Sequence, residues 1–256
     1  MDKRKFIELF VLGLASIILS SCATIPPPAP IKIPPTVAYP QQPQILRQDI
    51  IHVVAPGETL WRIGKTYDVP IERIMHANQL TQKDKLDMGQ KLLVPEALPA
   101  RSVVPLYASN KWKYIVIHHS ATDEGNALAF YNSHKDRGFI YGLGYQFVID
   151  NGSSGKLDGH IEVSPRWLKQ QDGAHCKAGG MNYKSIGICL VGNFSKENVS
   201  EKQLLSLVYL VNVLRKYYNI PIENIMGHGQ VPGASTECPG DKFPWAKFFT
   251  QLKTNR

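Results

Sequence analysis

The sequence predicts an α/β protein: a mixed central β-sheet flanked by helices, preceded by a small domain with the order strand, helix, helix, strand. Residues 110–256 predict the sheet, because continuous apolar runs typical of buried strands alternate there with amphipathic segments typical of helices. Residues 51–95 predict the small domain, because two short helical patterns lie between two β-rich runs. A linker at residues 96–109 is expected to join the two domains.

The composition is that of an ordinary globular protein. The 256 residues are 43% hydrophobic and 20% charged, which excludes a multi-span membrane protein and a fully disordered chain. The formal net charge is +8, but no basic helix, zinc-finger spacing or aromatic RNA-binding motif accompanies it, so we expect no nucleic-acid partner. An anionic polymer or an envelope surface fits the charge equally well. The four cysteines do not form a disulfide framework and are interpreted one at a time.

Residues 1–21 have the pattern of a signal peptide, with three basic residues followed by a short apolar run. The run ends in Leu19-Ser20-Ser21-Cys22, which resembles a bacterial lipobox and implies cleavage before Cys22 and diacylation of its thiol. A plain signal peptide with an incidental cysteine is the alternative. Ala23 resembles the outer-membrane sorting pattern, so we expect a cell-envelope protein anchored in the outer membrane through Cys22 and facing the periplasm.

Residues 22–50 are rich in proline, which fixes φ and removes backbone donors. The segment is therefore expected to be an extended spacer that reaches on the order of 80 Å at about 3.1 Å per residue. A disordered linker without any length requirement fits the same composition.

The small domain is predicted element by element. Residues 51–54 have strand character and stop at the turn pair Pro56-Gly57. Apolar residues recur at helical spacing over residues 58–67, and a second short helix is predicted over residues 69–77. Residues 89–95 return as a strand.

Three segments of this domain carry a specific resemblance: Pro56-Gly57-Glu58-Thr59-Leu60-Trp61, then Asn78, then Gly89-Gln90-Lys91-Leu92. Together they closely resemble a LysM domain, which implies binding of the N-acetylglucosamine-containing glycan of peptidoglycan between loops 57–60 and 78–86. Gly57, Thr59 and Asn78 are the candidate glycan contacts. Leu60, Trp61 and Leu92 are interpreted as core residues rather than glycan contacts.

The large domain begins with a β-rich run at residues 114–119, followed by a helix at 126–134. Strands are predicted at 145–149 and 185–191. The longest helical pattern covers residues 200–218, with Ser200 as its N-cap and apolar residues on one face; these are Leu204, Leu207, Val208, Val211 and Leu214.

Polar residues at the predicted strand ends suggest a metal site. His118 and His119 close one strand, and since neighbouring side chains of a strand point to opposite faces, at most one of them readily faces a given site. His228 ends another apolar segment, and Cys238 follows ten residues later. Two histidines and a cysteine are good zinc ligands and leave a fourth tetrahedral position open. Taken alone, this trio is only suggestive.

Five motifs follow one another along the domain: Ile117-His118-His119-Ser120-Ala121-Thr122, Gly144-Tyr145-Gln146-Phe147, Gly173-Ala174-His175, Asn182-Tyr183-Lys184-Ser185-Ile186-Gly187-Ile188, and Gly227-His228 with Cys238-Pro239-Gly240. In this order they resemble the N-acetylmuramoyl-L-alanine amidase type 2 family, which includes phage lysozyme-like amidases and animal peptidoglycan-recognition proteins. The resemblance spans nearly all of residues 110–250.

The resemblance implies that His118, His228 and Cys238 bind one Zn²⁺ per amidase domain. It implies catalytic roles for Tyr145 and for Thr236, which lies two residues before the cysteine and would help to bind an oxyanion. The implied reaction is hydrolysis of the amide bond between N-acetylmuramoyl and L-alanine in peptidoglycan. His175 is a candidate for contacting the stem peptide in the amidase groove, and a structural role for it is the alternative.

In another branch of the family, glutamate and aspartate occupy the positions that hold Cys189 and Cys238 here. The chain therefore resembles the tyrosine-dependent branch, and Cys189 is interpreted as a buried, inert thiol. His119 is interpreted as pointing to the opposite face of its strand, and pairing of Cys176 with Cys189 stays open.

Two other functions compete with an active amidase. One is a peptidoglycan-binding receptor that keeps the fold without cutting, and the other is a structural lipoprotein that ties membrane to wall through the LysM module. Non-catalytic relatives usually lose the cysteine ligand, so the presence of Cys238 favours the enzyme.

Overall fold

The computed structural model describes residues 46–83 and 85–254. The predicted signal peptide, the lipidation site at Cys22 and most of the proline-rich spacer lie outside the described residues. No helix within the described ranges is long and apolar enough to cross a membrane. The helices and strands are β1 Gln48–Val53, α1 Leu60–Tyr67, α2 Ile71–Ala77, β2 Lys91–Ala97, β3 Tyr114–His119, α3 Ala127–Asp136, β4 Phe147–Asn151, β5 Asp158–Val163, α4 Pro165–Leu168, α5 Met181–Lys184, β6 Ser185–Leu190, α6 Glu201–Tyr217, β7 Ile225–Gly227 and α7 Trp245–Thr254.

The small domain has the predicted order of strand, helix, helix and strand, with β1 and β2 paired antiparallel. Helix α1 begins at Leu60 rather than at Glu58, because Thr59 accepts a hydrogen bond from the backbone N–H of Arg62 and caps the helix. Leu60 and Leu92 lie in the core as expected. Trp61 was also expected in the core, but 54% of its surface is exposed, whereas its neighbour Leu60 faces the core.

The large domain contains a five-stranded sheet in the order β5-β4-β6-β3-β7. Strands β4, β6, β3 and β7 run parallel, and β5 pairs antiparallel with β4 at one edge. The mixed sheet with flanking helices confirms the predicted fold class. The strand predicted at residues 145–149 is found at Phe147–Asn151, so Tyr145 precedes it rather than lying within it.

Helix α6 covers one face of this sheet, where it packs against β4, β5 and α7. Its start is fixed by a capping box: Ser200 accepts from the backbone N–H of Gln203, and the Gln203 side chain accepts from the N–H of Ser200. Ile115 and Ile117 of β3 point into the core below α6. Val116 points to the opposite face, into a separate buried cluster with Cys176, Met181 and Val231. Alternation along β3 therefore sends His118 to the face opposite α6.

The two domains belong to one compact unit and meet at a buried lysine of the large domain. Lys156, between β4 and β5, donates from Nζ to the carbonyl of Val53 in the small domain at 2.7 Å. The same Nζ lies 3.3 Å from Glu162 Oε2. Pro165 and Leu168 of α4 pack close to Gly57, where a Cβ would lie 3.1 Å from Leu168 Cδ1. Backbone groups of the small domain therefore contact a charged side chain and two apolar side chains of the large domain.

Candidate metal centre and active site

The candidate site lies where parallel strands end. His118 is the fifth residue of β3, opposite Cys189 of β6, and His228 directly follows β7. The loop after β7 returns to the same place, because Gly229 donates its N–H to the carbonyl of Cys238 at 2.7 Å. His118 therefore meets side chains that lie 110 and 120 residues further along the chain, at the carboxyl ends of the strands.

One potential ligand atom from each of His118, His228 and Cys238 lies within 4.8 Å of the others. Nδ1 of His118 is 3.7 Å from the sulfur of Cys238, and the rings of His118 and His228 have centroids 4.7 Å apart. Two imidazoles and one sulfur fit a tetrahedral zinc ion with an open fourth position. The three side chains predicted as ligands are thus brought together as that chemistry requires.

The charge states of the three groups also fit a cation. Burial lowers the pKa of His118 well below its ordinary value, and the neighbouring His175 and His228 lower it further. Burial also lowers the pKa of His228, so both rings are neutral and free to ligate at neutral pH. Burial raises the pKa of Cys238 to about 12, although the hydrogen bond that the N–H of His119 donates to its sulfur lowers the pKa in part. A bound cation would supply the charge that stabilises the thiolate.

Tyr145 and Thr236 line the same cleft, which has a volume of about 290 Å³ and includes all three candidate ligands. The ring of Tyr145 has its centroid 5.1 Å from that of His118. Burial raises the pKa of Tyr145 well above its ordinary value, so its phenol is a neutral donor. Thr236 is exposed, and its hydroxyl accepts the N–H of Cys238 at 3.2 Å.

Comparisons with known proteins agree with this geometry. A family model described as N-acetylmuramoyl-L-alanine amidase matches residues 108–241. The chain belongs to the N-acetylmuramoyl-L-alanine amidase family. A LysM domain model matches residues 52–95 of the same chain.

Individual relatives resemble the amidase domain at moderate identity. The chain is 28% identical over 160 residues to peptidoglycan-recognition protein 2 of Holotrichia diomphalia, covering 59% of this chain and 76% of that protein. It is 33% identical over 122 residues to the endolysin of Enterobacteria phage K11, covering 44% of this chain and 70% of the endolysin. Among solved structures, it is similar to the N-acetylmuramoyl-L-alanine amidase LysC from Clostridium intestinale, with 31% identity, a TM-score of 0.47, and coverage of 60% of this chain and 94% of that one.

His119 and the cysteines of the amidase domain lie as interpreted from the sequence. His119 is on the α6 face of β3, where its Nδ1 accepts the N–H of Phe194 at 3.2 Å. Cys189 is fully buried, and Cys176 and Cys189 are both free rather than paired. Burial raises the pKa of Cys189 well above its ordinary value, which keeps the thiol protonated and inert.

Sequence reasoning missed three residues that line the cleft, namely His134, Arg137 and Phe139. The guanidinium of Arg137 lies 5.5 Å from the centre of the Phe139 ring, and it places a positive charge at the cleft. Nδ1 of His134 accepts the N–H of Gly144 at 3.0 Å, which fixes the backbone just before Tyr145. No motif singled these residues out, since they lie in and after α3, away from the predicted strand ends.

The candidate glycan contacts of the LysM domain have structural partners. Thr59 caps α1, and Gly57 packs near the amidase domain. The Asn78 amide donates to the carbonyls of Ile74 and Leu93 and accepts the N–H of Leu93, at 2.7–2.8 Å. These bonds hold the end of α2 against β2. Glycan contact through these three side chains stays a prediction.

Proposed function

We propose that this chain hydrolyses the amide bond between N-acetylmuramoyl and L-alanine in peptidoglycan, with Zn²⁺ held by His118, His228 and Cys238. The observation that carries the proposal is the convergence of these three groups within 4.8 Å at the strand ends of an amidase-family domain. Loss of the cysteine ligand would have favoured a non-cutting receptor, and Cys238 is present at the site.

The chemistry follows from the residues that surround the cleft. Zn²⁺ bound there would supply Lewis acidity, which polarises an amide carbonyl and makes water a better nucleophile at neutral pH. Tyr145, which lines this cleft, would donate its phenolic proton in a hydrogen bond to the carbonyl oxygen as negative charge develops on it. The Thr236 hydroxyl, at the exposed rim of the same cleft, is a second candidate donor. Arg137 adds a positive charge suited to the carboxylates of a stem peptide.

The proposal assigns the LysM domain the role of holding the enzyme on its polymer. A glycan strand bound there would raise the local concentration of scissile bonds at the amidase cleft. Diacylation of Cys22 and attachment to the outer membrane complete the proposed arrangement. That part rests on the lipobox resemblance of residues 19–22, which lie outside the described residues.

Product analysis tests the reaction directly. Purified peptidoglycan sacculi are incubated with the protein, and the soluble products are analysed by mass spectrometry before and after treatment of the enzyme with a metal chelator. The proposal predicts free stem peptides that begin with L-alanine, lost after chelation and restored by added Zn²⁺. The matched variants are Cys238→Ser, which removes the sulfur ligand, and Cys176→Ser, which changes a buried cysteine that is not among the three clustered ligands.

Cleavage by Cys238→Ser at the wild-type rate would overturn the zinc assignment. Products that lack a free L-alanine amino group would overturn the proposed bond. Binding of sacculi without any cleavage by the metal-loaded wild-type protein would favour the non-catalytic receptor instead.

A further inference from the structure

His175 lies directly against a candidate metal ligand. Its Nδ1 is 3.0 Å from Nε2 of His118, and both rings are buried. The other nitrogen of His118, Nδ1, is the one that lies 3.7 Å from the sulfur of Cys238. The two nitrogens of His118 therefore point in different directions, one toward the other candidate ligands and one toward His175.

This arrangement dictates a tautomer. A histidine nitrogen that ligates a metal must present a lone pair, so Nδ1 of His118 cannot carry a proton. The proton of the neutral ring is then on Nε2, which donates to Nδ1 of His175. Histidines that ligate metals usually donate their second N–H to an acceptor that fixes the ring, and here the acceptor is another imidazole.

The surroundings of His175 form a slot shaped for its ring. A Cβ at Gly173 would lie 2.4 Å from the ring atom Cδ2, and a Cβ at Gly187 would lie 2.5 Å from the same atom. Only glycine leaves room for an imidazole at either position. The backbone is fixed too, because Asn182 Oδ1 accepts the N–H groups of His175 and Cys176, each at 2.8 Å. The glycines and asparagine of two sequence motifs therefore serve to place one ring behind His118.

We propose that His175 is a positioning residue of the metal centre: it accepts the Nε2–H of His118 and thereby fixes the tautomer and the ring plane in which Nδ1 faces the metal. This inference rests on the proposed function, since it takes His118 as a ligand. It assigns His175 a role that acts through His118 rather than through contact with the stem peptide.

Two nearly isosteric substitutions separate the hydrogen bond from the packing. His175→Asn keeps an acceptor oxygen near the position of Nδ1, whereas His175→Leu has a similar size and no acceptor. Metal-stripped wild-type and variant proteins are titrated with Zn²⁺ in competition with a chromophoric chelator. The same proteins are loaded with Co²⁺, whose visible absorption reports the ligand geometry. Thermal unfolding of the metal-free proteins checks that each variant folds.

We expect His175→Leu to bind Zn²⁺ about 10- to 100-fold more weakly than wild type and to shift the Co²⁺ absorption band. His175→Asn is expected to recover most of the affinity and the wild-type band. The inference would be overturned if the leucine variant kept the zinc affinity and the cobalt spectrum of the wild type. It would also be overturned if both variants bound Zn²⁺ equally weakly. If the leucine variant does not fold, His175→Gln, whose amide lies one bond further from the backbone, replaces it as the variant expected to lose affinity.

The outcomes also separate this inference from the proposed function. Wild-type protein that binds neither ion would overturn the metal site itself and the inference with it. Wild-type protein that binds Zn²⁺ and cleaves peptidoglycan, together with variants of wild-type affinity, would overturn the role of His175 alone.

Discussion

Replacing Lys156 with methionine removes the charge that lies between the two domains while keeping most of its aliphatic stem. Only 4% of the Lys156 side chain and 1% of the Glu162 side chain are exposed, so water does not screen this pair. The substitution leaves the Glu162 carboxylate buried and uncompensated, and the Val53 carbonyl loses its donor. Burial and the charge of Glu162 raise the pKa of the neighbouring Asp150 well above its ordinary value, so a second negative charge beside Glu162 is disfavoured.

Removing one partner of a buried ion pair costs about 3–5 kcal/mol. In a unit of roughly 200 residues, each kcal/mol shifts the melting temperature by about 2–4 °C, so Lys156→Met is expected to melt about 6–20 °C below wild type. The double variant with Glu162→Gln removes the stranded charge, and glutamine can still accept the backbone N–H that Ala127 donates to Glu162 Oε1. It is therefore expected to recover at least about 2 kcal/mol of the loss.

Thermal and urea unfolding of the purified proteins measures both effects. The matched control is Lys247→Met, since Lys247 pairs with Glu201 at the surface with side chains 50% and 57% exposed. That variant is expected to change the free energy of unfolding by less than about 1 kcal/mol. A Lys156→Met protein that unfolds at the wild-type midpoint would refute the reasoning, as would a double variant less stable than the single one.

Three further predictions concern the active site and the small domain. Tyr145→Phe removes the phenolic donor and is expected to lower the cleavage rate about 10²- to 10³-fold in sacculus assays without changing the zinc content. Burial favours a raised pKa for Glu58, but the hydrogen bond and charge of His52 outweigh it and lower the pKa to about 2. As the pH falls from 4.5 to 2, the free energy of unfolding of the wild type should therefore decrease by on the order of 3 kcal/mol more than that of Glu58→Gln. Urea unfolding across this pH range measures the difference. Asn78→Ala leaves the backbone groups of β2 and α2 without partners and is expected to lower the free energy of unfolding by about 1–3 kcal/mol.

Each of these predictions has a definite contrary result. Loss of zinc from Tyr145→Phe would show that the phenol supports the metal centre rather than the reaction. Parallel stability curves for wild type and Glu58→Gln at acid pH would contradict the lowered pKa of Glu58. An Asn78→Ala protein of unchanged stability but weakened glycan binding would favour the direct glycan contact expected from the LysM resemblance.

The elements that sequence analysis placed well are those whose signal is local. Helix α6 has a long apolar face and begins with the Ser200 capping box, both of which are visible in the sequence. The apolar runs of β3 and β6 identify central strands because both faces of a parallel sheet are covered. Side-chain alternation along β3 predicted that at most one of His118 and His119 faces the site, and the family resemblance selected His118; in the structure His118 lies beside His228 and Cys238, whereas His119 bonds to Phe194.

Sequence analysis could not predict the contacts that depend on tertiary packing, because no local pattern encodes them. Trp61 was interpreted as a core residue rather than a glycan contact, but 54% of its surface is exposed. The motif that contains Asn78 did not predict the hydrogen bonds of its amide to backbone groups of α2 and β2, and its glycan contact stays a prediction. The position of His175 behind His118 depends on two residues 57 apart in sequence. The role of Lys156 depends on how the two domains dock, which composition and periodicity do not specify.

The central claim is that His118, His228 and Cys238 share one zinc ion. Crystals of the protein grown with Zn²⁺ and measured on both sides of the zinc absorption edge locate that ion by its anomalous scattering. We predict a single strong peak in the amidase cleft, about 2.0–2.1 Å from Nδ1 of His118 and from a ring nitrogen of His228, and about 2.3 Å from the Cys238 sulfur. A zinc peak bound elsewhere, or an empty cleft in crystals that contain zinc, would contradict it.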